Sequence, residues 1–182
     1  MRLKPGSYLI LGMLERGRET GYAIKHAVDR STRLFWAASF AQVYPELAAL
    51  EQDGYVVSAD EPHGARPRKT YRLTDRGSAA LADWLRSERE PRLEFRDEGL
   101  LRLFFADAMT PEDALALVKR LRARAEELER EFQVEVLPLA QRSPGRFPLL
   151  VAREGADYFA WRAAWFRDLE EELAAGLEGR RS

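Results

Sequence analysis

Between Gly54 and Thr74 the spacing of apolar residues shifts from every third or fourth position to every second, and then shifts back. That one switch confines the chain to a mainly helical protein carrying a small β-hairpin, because helices and strands impose those two periods on a buried face. Tyr55-Val-Val-Ser58 and Thr70-Tyr-Arg-Leu73 are rich in the β-branched and aromatic residues that suit a pleated, half-buried surface. The Gly, Pro and Arg residues between them predict the tip of a hairpin.

Three helices are predicted before the hairpin and one directly after it. Leu9, Ile10, Met13 and Leu14 follow Pro5-Gly6-Ser7 at helical spacing, and Gly17 ends that run. A second helix opens at Thr20-Gly21 with Ile24, Ala27 and Val28 on one face. The third starts at Ser39-Phe-Ala-Gln42, a capping-box spacing, buries Val43, Leu47 and Leu50, and stops at Asp53-Gly54. Pro45 lacks a backbone donor inside it, which predicts a bend or an irregular start. Thr74-Asp75 caps a fourth helix, with Leu81, Trp84 and Leu85 expected inward. Three helices, a hairpin and a further helix are the element order of a winged helix-turn-helix.

Everything after the Glu90-Pro91 punctuation looks helical, which divides the chain into residues 1–90 and 91–182. Leu100, Leu101, Leu103, Phe104 and Phe105 surround a helix from Glu98 to Met109 so completely that it must be enclosed. Thr110-Pro-Glu-Asp113 starts another, with acids at its positive end. Ala114, Val118, Leu121, Ala125, Leu128 and Phe132 make a heptad seam along it. A last helix runs from about Phe147 to Leu177 through Tyr158, Trp161, Trp165, Leu169 and Leu173. At 1.5 Å per residue, helices of ~30 residues reach ~45 Å, more than a protein of this size needs internally. The seams are therefore expected to join two copies in a symmetric dimer through Val118, Leu121, Leu128, Phe132, Leu169 and Leu173.

Composition narrows the chemistry. The 29 Lys and Arg nearly balance 30 Asp and Glu, so the chain is no general polycation and any nucleic-acid binding must be local. The concentrated basic segment is the hairpin tip, where Arg66, Arg68, Lys69 and Arg72 follow one another with no acid among them. The absence of cysteine excludes disulfides and thiolate metal sites. Only two histidines are present, His26 and His63, too far apart for a metal pair on one helix. No zinc-protease, serine-hydrolase or phosphate-loop signature occurs. No enzyme activity, metal or cofactor is expected. No apolar run approaches the ~20 residues of a membrane span and no secretory leader is read at the start, so a cytoplasmic protein is expected.

Three stretches resemble the PadR family of bacterial transcriptional regulators. Gly21-Tyr22-Ala-Ile24 resembles the family's opening of the second helix. Ser39 through Tyr44-Pro45, Leu47, Leu50-Glu51 and Gly54 resembles its recognition-helix core. Arg66, Lys69, Tyr71, Leu73-Thr74 and Gly77 resemble its closing strand. Phe104-Phe105-Ala-Asp107 and Tyr158-x-x-Trp161 are similar to the longer helical C-terminal domain of virulence-gene activators. The chain departs from many relatives in having Ala41 rather than Gly, and Gln42 stands at a position that varies. The resemblance implies a homodimeric DNA-binding regulator, often a repressor of its own gene and of neighbouring transport, detoxification or phenolic-acid genes. In some relatives a ligand in the cleft between the halves relieves repression.

On that basis the candidate contacts to a dyad-symmetric double-stranded operator are Tyr22, Lys25, Ser39, Gln42, Tyr44, Arg66, Arg68, Lys69 and Tyr71. Gln42 has the donor and acceptor to read adenine in the major groove, while hydroxyl neighbours set orientation on phosphate. Ser39 and Gln42 are equally explained as a capping pair. The basic wing, about residues 59–69, suits phosphate or a narrow minor groove. Phe35, Trp36, Phe40, Trp161 and Trp165 are candidates for lining a pocket for a small hydrophobic or aromatic effector, or for ordinary core and dimer packing. The alternative from another class is a winged-helix adaptor that contacts proteins and dimerises through its long helices.

Overall fold

The computed structural model describes residues 3–33, 35–62, 68–91, 93 and 95–178 and forms two compact units, residues 1–91 and 92–182. The first unit contains α1 (Pro5–Glu15), α2 (Gly21–Asp29), α3 (Phe40–Gln52), β1 (Val56–Glu61), β2 (Arg68–Leu73) and α4 (Asp75–Leu85). Local caps fix the helix starts. Thr20 Oγ1 accepts from the Ala23 amide at 3.1 Å, and Thr74 Oγ1 from the Gly77 amide at 3.1 Å. Gly17 and Gly54 turn the chain after α1 and α3 with positive φ, in the left-handed region that glycine tolerates.

One core joins these elements: Ile10, Leu11 and Leu14 of α1, Ile24 and Val28 of α2, Val43, Leu47 and Leu50 of α3, Val56 of β1, Tyr71 of β2 and Leu81 of α4. Pro45 leaves the Ala41 carbonyl without an intrahelical donor, yet α3 runs unbroken from Phe40 to Gln52. Its buried stripe is anchored on both sides of the proline, which offsets the lost bond. Trp84 and Leu85, expected inward, are exposed instead. The Trp84 ring stacks on Tyr8 with centroids 4.7 Å apart, so the last turn of α4 lies over α1 rather than in the core.

The hairpin is antiparallel, with Val56 opposite Leu73 and Glu61 opposite Arg68. Both strands reach further towards the tip than the apolar pattern indicates. Arg66 and His63 lie outside the described residues.

The second unit contains α5 (Glu98–Phe104), a 3₁₀ turn (Ala106–Ala108), α6 (Pro111–Glu131), a π turn (Phe132–Val136), α7 (Leu137–Gln141) and α8 (Phe147–Glu178). The widened π turn ends two residues before Pro138, whose ring cannot donate to the Val134 carbonyl. Val118 and Ala125 of α6 pack on Ala163 and Phe166 of α8, with Leu100, Leu103, Leu121, Leu169 and Leu173 around them. Arg122 reinforces this contact by bonding Glu126 at 2.8 Å and Glu170 at 2.7 Å.

Within one chain this packing already engages the residues expected to form the dimer seam. Val118, Leu128 and Phe132 are buried within one chain, and Leu121, Leu169 and Leu173 pack against the same intrachain cluster. Two helices of one chain meet at far higher effective concentration than two chains do, so the most regular seam closes internally. The expected enclosure of α5 is met only by Leu100 and Leu103. Leu101, Phe104 and Phe105 are 58%, 78% and 62% exposed. Among the described residues no helix is long and apolar enough to cross a membrane, and no group of three side chains is placed to hold a metal ion.

Candidate nucleic-acid interface

The site is built on α3. Its inward stripe, Val43, Leu47 and Leu50, is completely buried, and a hydrogen bond between the buried Ser7 hydroxyl and Glu46 ties it to α1. The opposite side presents Phe40, Ala41, Gln42, Tyr44, Pro45 and Ala48 to solvent. A helix held from behind by the core and bare in front has the form needed to enter a groove.

Ser39 and Gln42 form the reciprocal cap that their spacing predicts. Gln42 Oε1 accepts from the Ser39 amide at 2.9 Å and from the Ser39 hydroxyl at 3.2 Å. Both lone pairs of that oxygen are then in use, and the side chain keeps only its two N–H donors. Reading adenine needs one donor and one acceptor, so Gln42 held in its cap does not supply that pattern.

Tyr44 depends on Gly21. A Cβ at position 21 would lie 2.5 Å from Tyr44 Cε1, so any larger residue at the start of α2 would displace the ring from this position. The rings of Tyr44, Phe40, Tyr22 and His26 then form a row of near-parallel planes. The Tyr44 and Phe40 centroids are 6.1 Å apart. Those of Phe40 and Tyr22 are 6.4 Å apart, and those of Tyr22 and His26 are 6.2 Å apart. Lys25 Nζ lies 5.4 Å from the Phe40 centroid, within the range of a cation–π contact. The same ammonium pairs with Asp29. Lys25 is therefore already engaged, whereas Tyr22 is 66% exposed.

The wing is fastened to α3 by Glu51, a residue whose structural task the sequence reading missed. Its carboxylate accepts from the Ser58 hydroxyl of β1 and from Lys69 Nζ of β2, the latter at 2.8 Å. The Lys69 hydrogen bond, followed by that of Ser58, holds the Glu51 carboxyl below its usual range. The same bond raises the Lys69 ammonium above its own. No local signal marks this pair, because eighteen positions separate Glu51 from Lys69.

The acid-free run around the tip is acid-free only along the chain. Across the ladder Asp60 stands opposite Lys69 and Glu61 opposite Arg68, and Arg72 lies 3.3 Å from Glu19. Tyr71 is corrected from a DNA contact to a core residue, only 7% exposed. Its amide donates to the Glu19 carbonyl at 2.7 Å, which draws β2 against the start of α2. The structure thus brings Tyr22, Ser39, Gln42 and Tyr44 together on one side of the first unit, with Lys25 beneath them. Arg68 and Lys69 sit on the hairpin.

The aromatic effector candidates fall in separate units. Phe35, Trp36 and Phe40 are exposed in the first, and Trp161 and Trp165 are exposed in the second. Core packing within a unit accounts for neither group.

Comparison with known proteins agrees with this geometry. Residues 10–83 match the transcriptional regulator PadR-like family, and residues 95–174 match the virulence activator alpha C-terminal family. The chain is similar to a negative transcriptional regulator PadR of Bacillus subtilis, 33% identical over 113 residues. That match spans 62% of this chain and 62% of the relative, less than two thirds of the relative's length. It is also similar to the crystal structure of Bacillus subtilis PadR in complex with operator DNA. There the TM-score is 0.83 and the identity 25%, covering 92% of this chain and 98% of the other. The crystal structure of that protein with p-coumaric acid has a TM-score of 0.76 at 25% identity, with the same coverage. A core-anchored α3 with a bare outer face, a capped start and a wing clasped to its end, together with matches to both halves of the chain, carry one conclusion: residues 10–83 form a domain of the transcriptional regulator PadR-like family, followed over residues 95–174 by one of the virulence activator alpha C-terminal family.

Proposed function

We propose that the chain is a homodimeric, sequence-specific DNA-binding repressor. The first unit places α3 in the major groove of each half of a dyad-symmetric operator, and the second unit joins the copies. The observation that carries this reading is the two-sidedness of α3: Val43, Leu47 and Leu50 are wholly buried while Phe40, Ala41, Gln42, Tyr44 and Pro45 face solvent. The similar Bacillus subtilis protein solved with operator DNA supports the same use of the fold. Its description as a negative regulator supports the direction of control. Tyr22, Ser39 and Tyr44 orient the helix through their hydroxyls, and Arg68 and Lys69 approach the backbone or the minor groove. A cytoplasmic location accompanies access to the operator.

The dimer face moves to the outside of the second unit. Along α8, Phe147, Val151, Trp161 and Trp165 are exposed at helical spacing, on the side away from the buried Ala152, Ala156, Ala163 and Phe166. With Leu101 and Phe104 of α5 and Phe105 just after it, they supply the exposed apolar side chains that a second copy covers. The p-coumaric acid complex of the similar protein supports a small aromatic acid as effector class, with Phe35 and Trp36, exposed in the first unit, as aromatic side chains available to it.

A mobility-shift titration against the DNA upstream of the chain's own gene tests the reading. A retarded complex that weakens with added salt is expected. No retarded band at low salt overturns it and favours a protein-contacting adaptor.

A further inference from the structure

We infer that α3 selects thymine, chiefly through contact of the Phe40 ring with the thymine 5-methyl group; the inference rests on the DNA-binding reading above. The sequence of α3, residues 40–52, contains no Arg, Lys, Asn, Asp, Ser or Thr. Guanine recognition by a bidentate cation therefore has no candidate on this helix. Its two acids are committed elsewhere, Glu46 to Ser7 of α1 and Glu51 to Ser58 and Lys69 of the hairpin. Neither is free to accept from cytosine. Gln42 has no spare acceptor for adenine while it caps the helix.

Apart from the Tyr44 hydroxyl, already assigned to orienting the helix, what remains at the front of α3 is apolar surface: the half-exposed Phe40 ring, then Ala41, Pro45 and Ala48. In the major groove the apolar group that distinguishes one base is the thymine methyl. Phe40 is the first residue of α3, where a recognition helix reaches base edges. Its ring is steadied by Tyr22 and Tyr44 on either side and by Lys25 nearby. The Gln42 N–H donors are compatible with the same base, whose O4 accepts.

The test uses the full-length protein. Duplexes are enriched from a random pool, and each thymine of an enriched duplex is then replaced singly by deoxyuridine, which removes only the methyl group. At least one thymine in each half-site should lose about fourfold in affinity, the equivalent of one buried methyl. Phe40→Ala should bind more weakly and be indifferent to deoxyuridine at that position, while Phe40→Leu keeps part of the sensitivity. The ring is half exposed, so neither variant should unfold the protein, and circular dichroism checks this. Failure to enrich any sequence overturns the DNA-binding reading itself. Enrichment with no effect of deoxyuridine anywhere overturns thymine selection alone. An equal deoxyuridine effect in wild type and Phe40→Ala removes Phe40 from the contact and overturns its assignment.

Discussion

Replacing Gly77 by alanine should destabilise the first unit, although alanine is the better helix former. Gly77 lies in the first turn of α4, and its amide donates to Thr74 Oγ1 at 3.1 Å. A Cβ there would overlap the Tyr55 carbonyl oxygen outright, sit 3.1 Å from the carbonyl carbon and crowd Leu73 Cδ2 at 3.3 Å. The obstacle is backbone, so no side chain can swing away. That carbonyl also accepts from the Thr74 amide and the Thr74 hydroxyl, both at 3.1 Å. Separating it from α4 strains the cap, worth ~1 kcal/mol, and a further hydrogen bond, worth ~1 kcal/mol. Overpacking adds ~1–3 kcal/mol, while the gain in helix propensity returns ~1 kcal/mol. A net loss of ~2–4 kcal/mol is expected. Gly12→Ala in α1 is the control, because a Cβ there meets nothing within 4 Å; it should stabilise by ~0.5–1 kcal/mol. Denaturant unfolding followed by Trp fluorescence reads both, since Trp84 stacks on Tyr8 within this unit. The reasoning fails if Gly77→Ala equals or exceeds wild type in stability.

The Glu51 clasp gives a pH dependence. Because its folded pKa lies below the ordinary 4.5, its contribution is complete above that value and is lost as the pH falls through the folded pKa. Glu51→Gln should flatten this acid limb in unfolding titrations, and an unchanged limb would remove Glu51 from the clasp. On DNA, Arg68→Ala should lower the log–log salt slope by about 0.9. Lys69→Ala should lower it by less, because Glu51 already neutralises Lys69; equal slopes in affinity titrations would contradict that pairing. Phe166→Ala, at a fully buried side chain, should cost ~3–5 kcal/mol in denaturant unfolding. Trp161→Glu should leave the fold intact and give a monomer by light scattering. A dimer mass in that variant would place the interface elsewhere.

Helix starts were legible because the groups that cap them are sequence neighbours: Thr20, Ser39, Thr74 and Thr110 each lie three residues from the amide or side chain they engage. The hairpin was legible because its period differs from that of everything around it. Opacity began where partners are remote. Asp60 and Glu61 stand opposite Lys69 and Arg68 on the other strand, and Glu51 reaches Lys69 across the unit. Tyr71 carries both a hydroxyl and a large ring, and only the position of β2 against the core decides that the ring is buried. Periodicity likewise found the α6 seam without saying whose helix fills it. On α8 both an inner and an outer apolar stripe satisfy helical spacing, and sequence alone does not rank them.

Glu51 secures both strands from the far end of α3, while Ala41, Pro45 and Ala48 line its front without taking part in that fastening. A lineage adapting to a new target can therefore exchange these outward residues as one changes the type in a printing press. The frame that sets where the letters strike stays as it was.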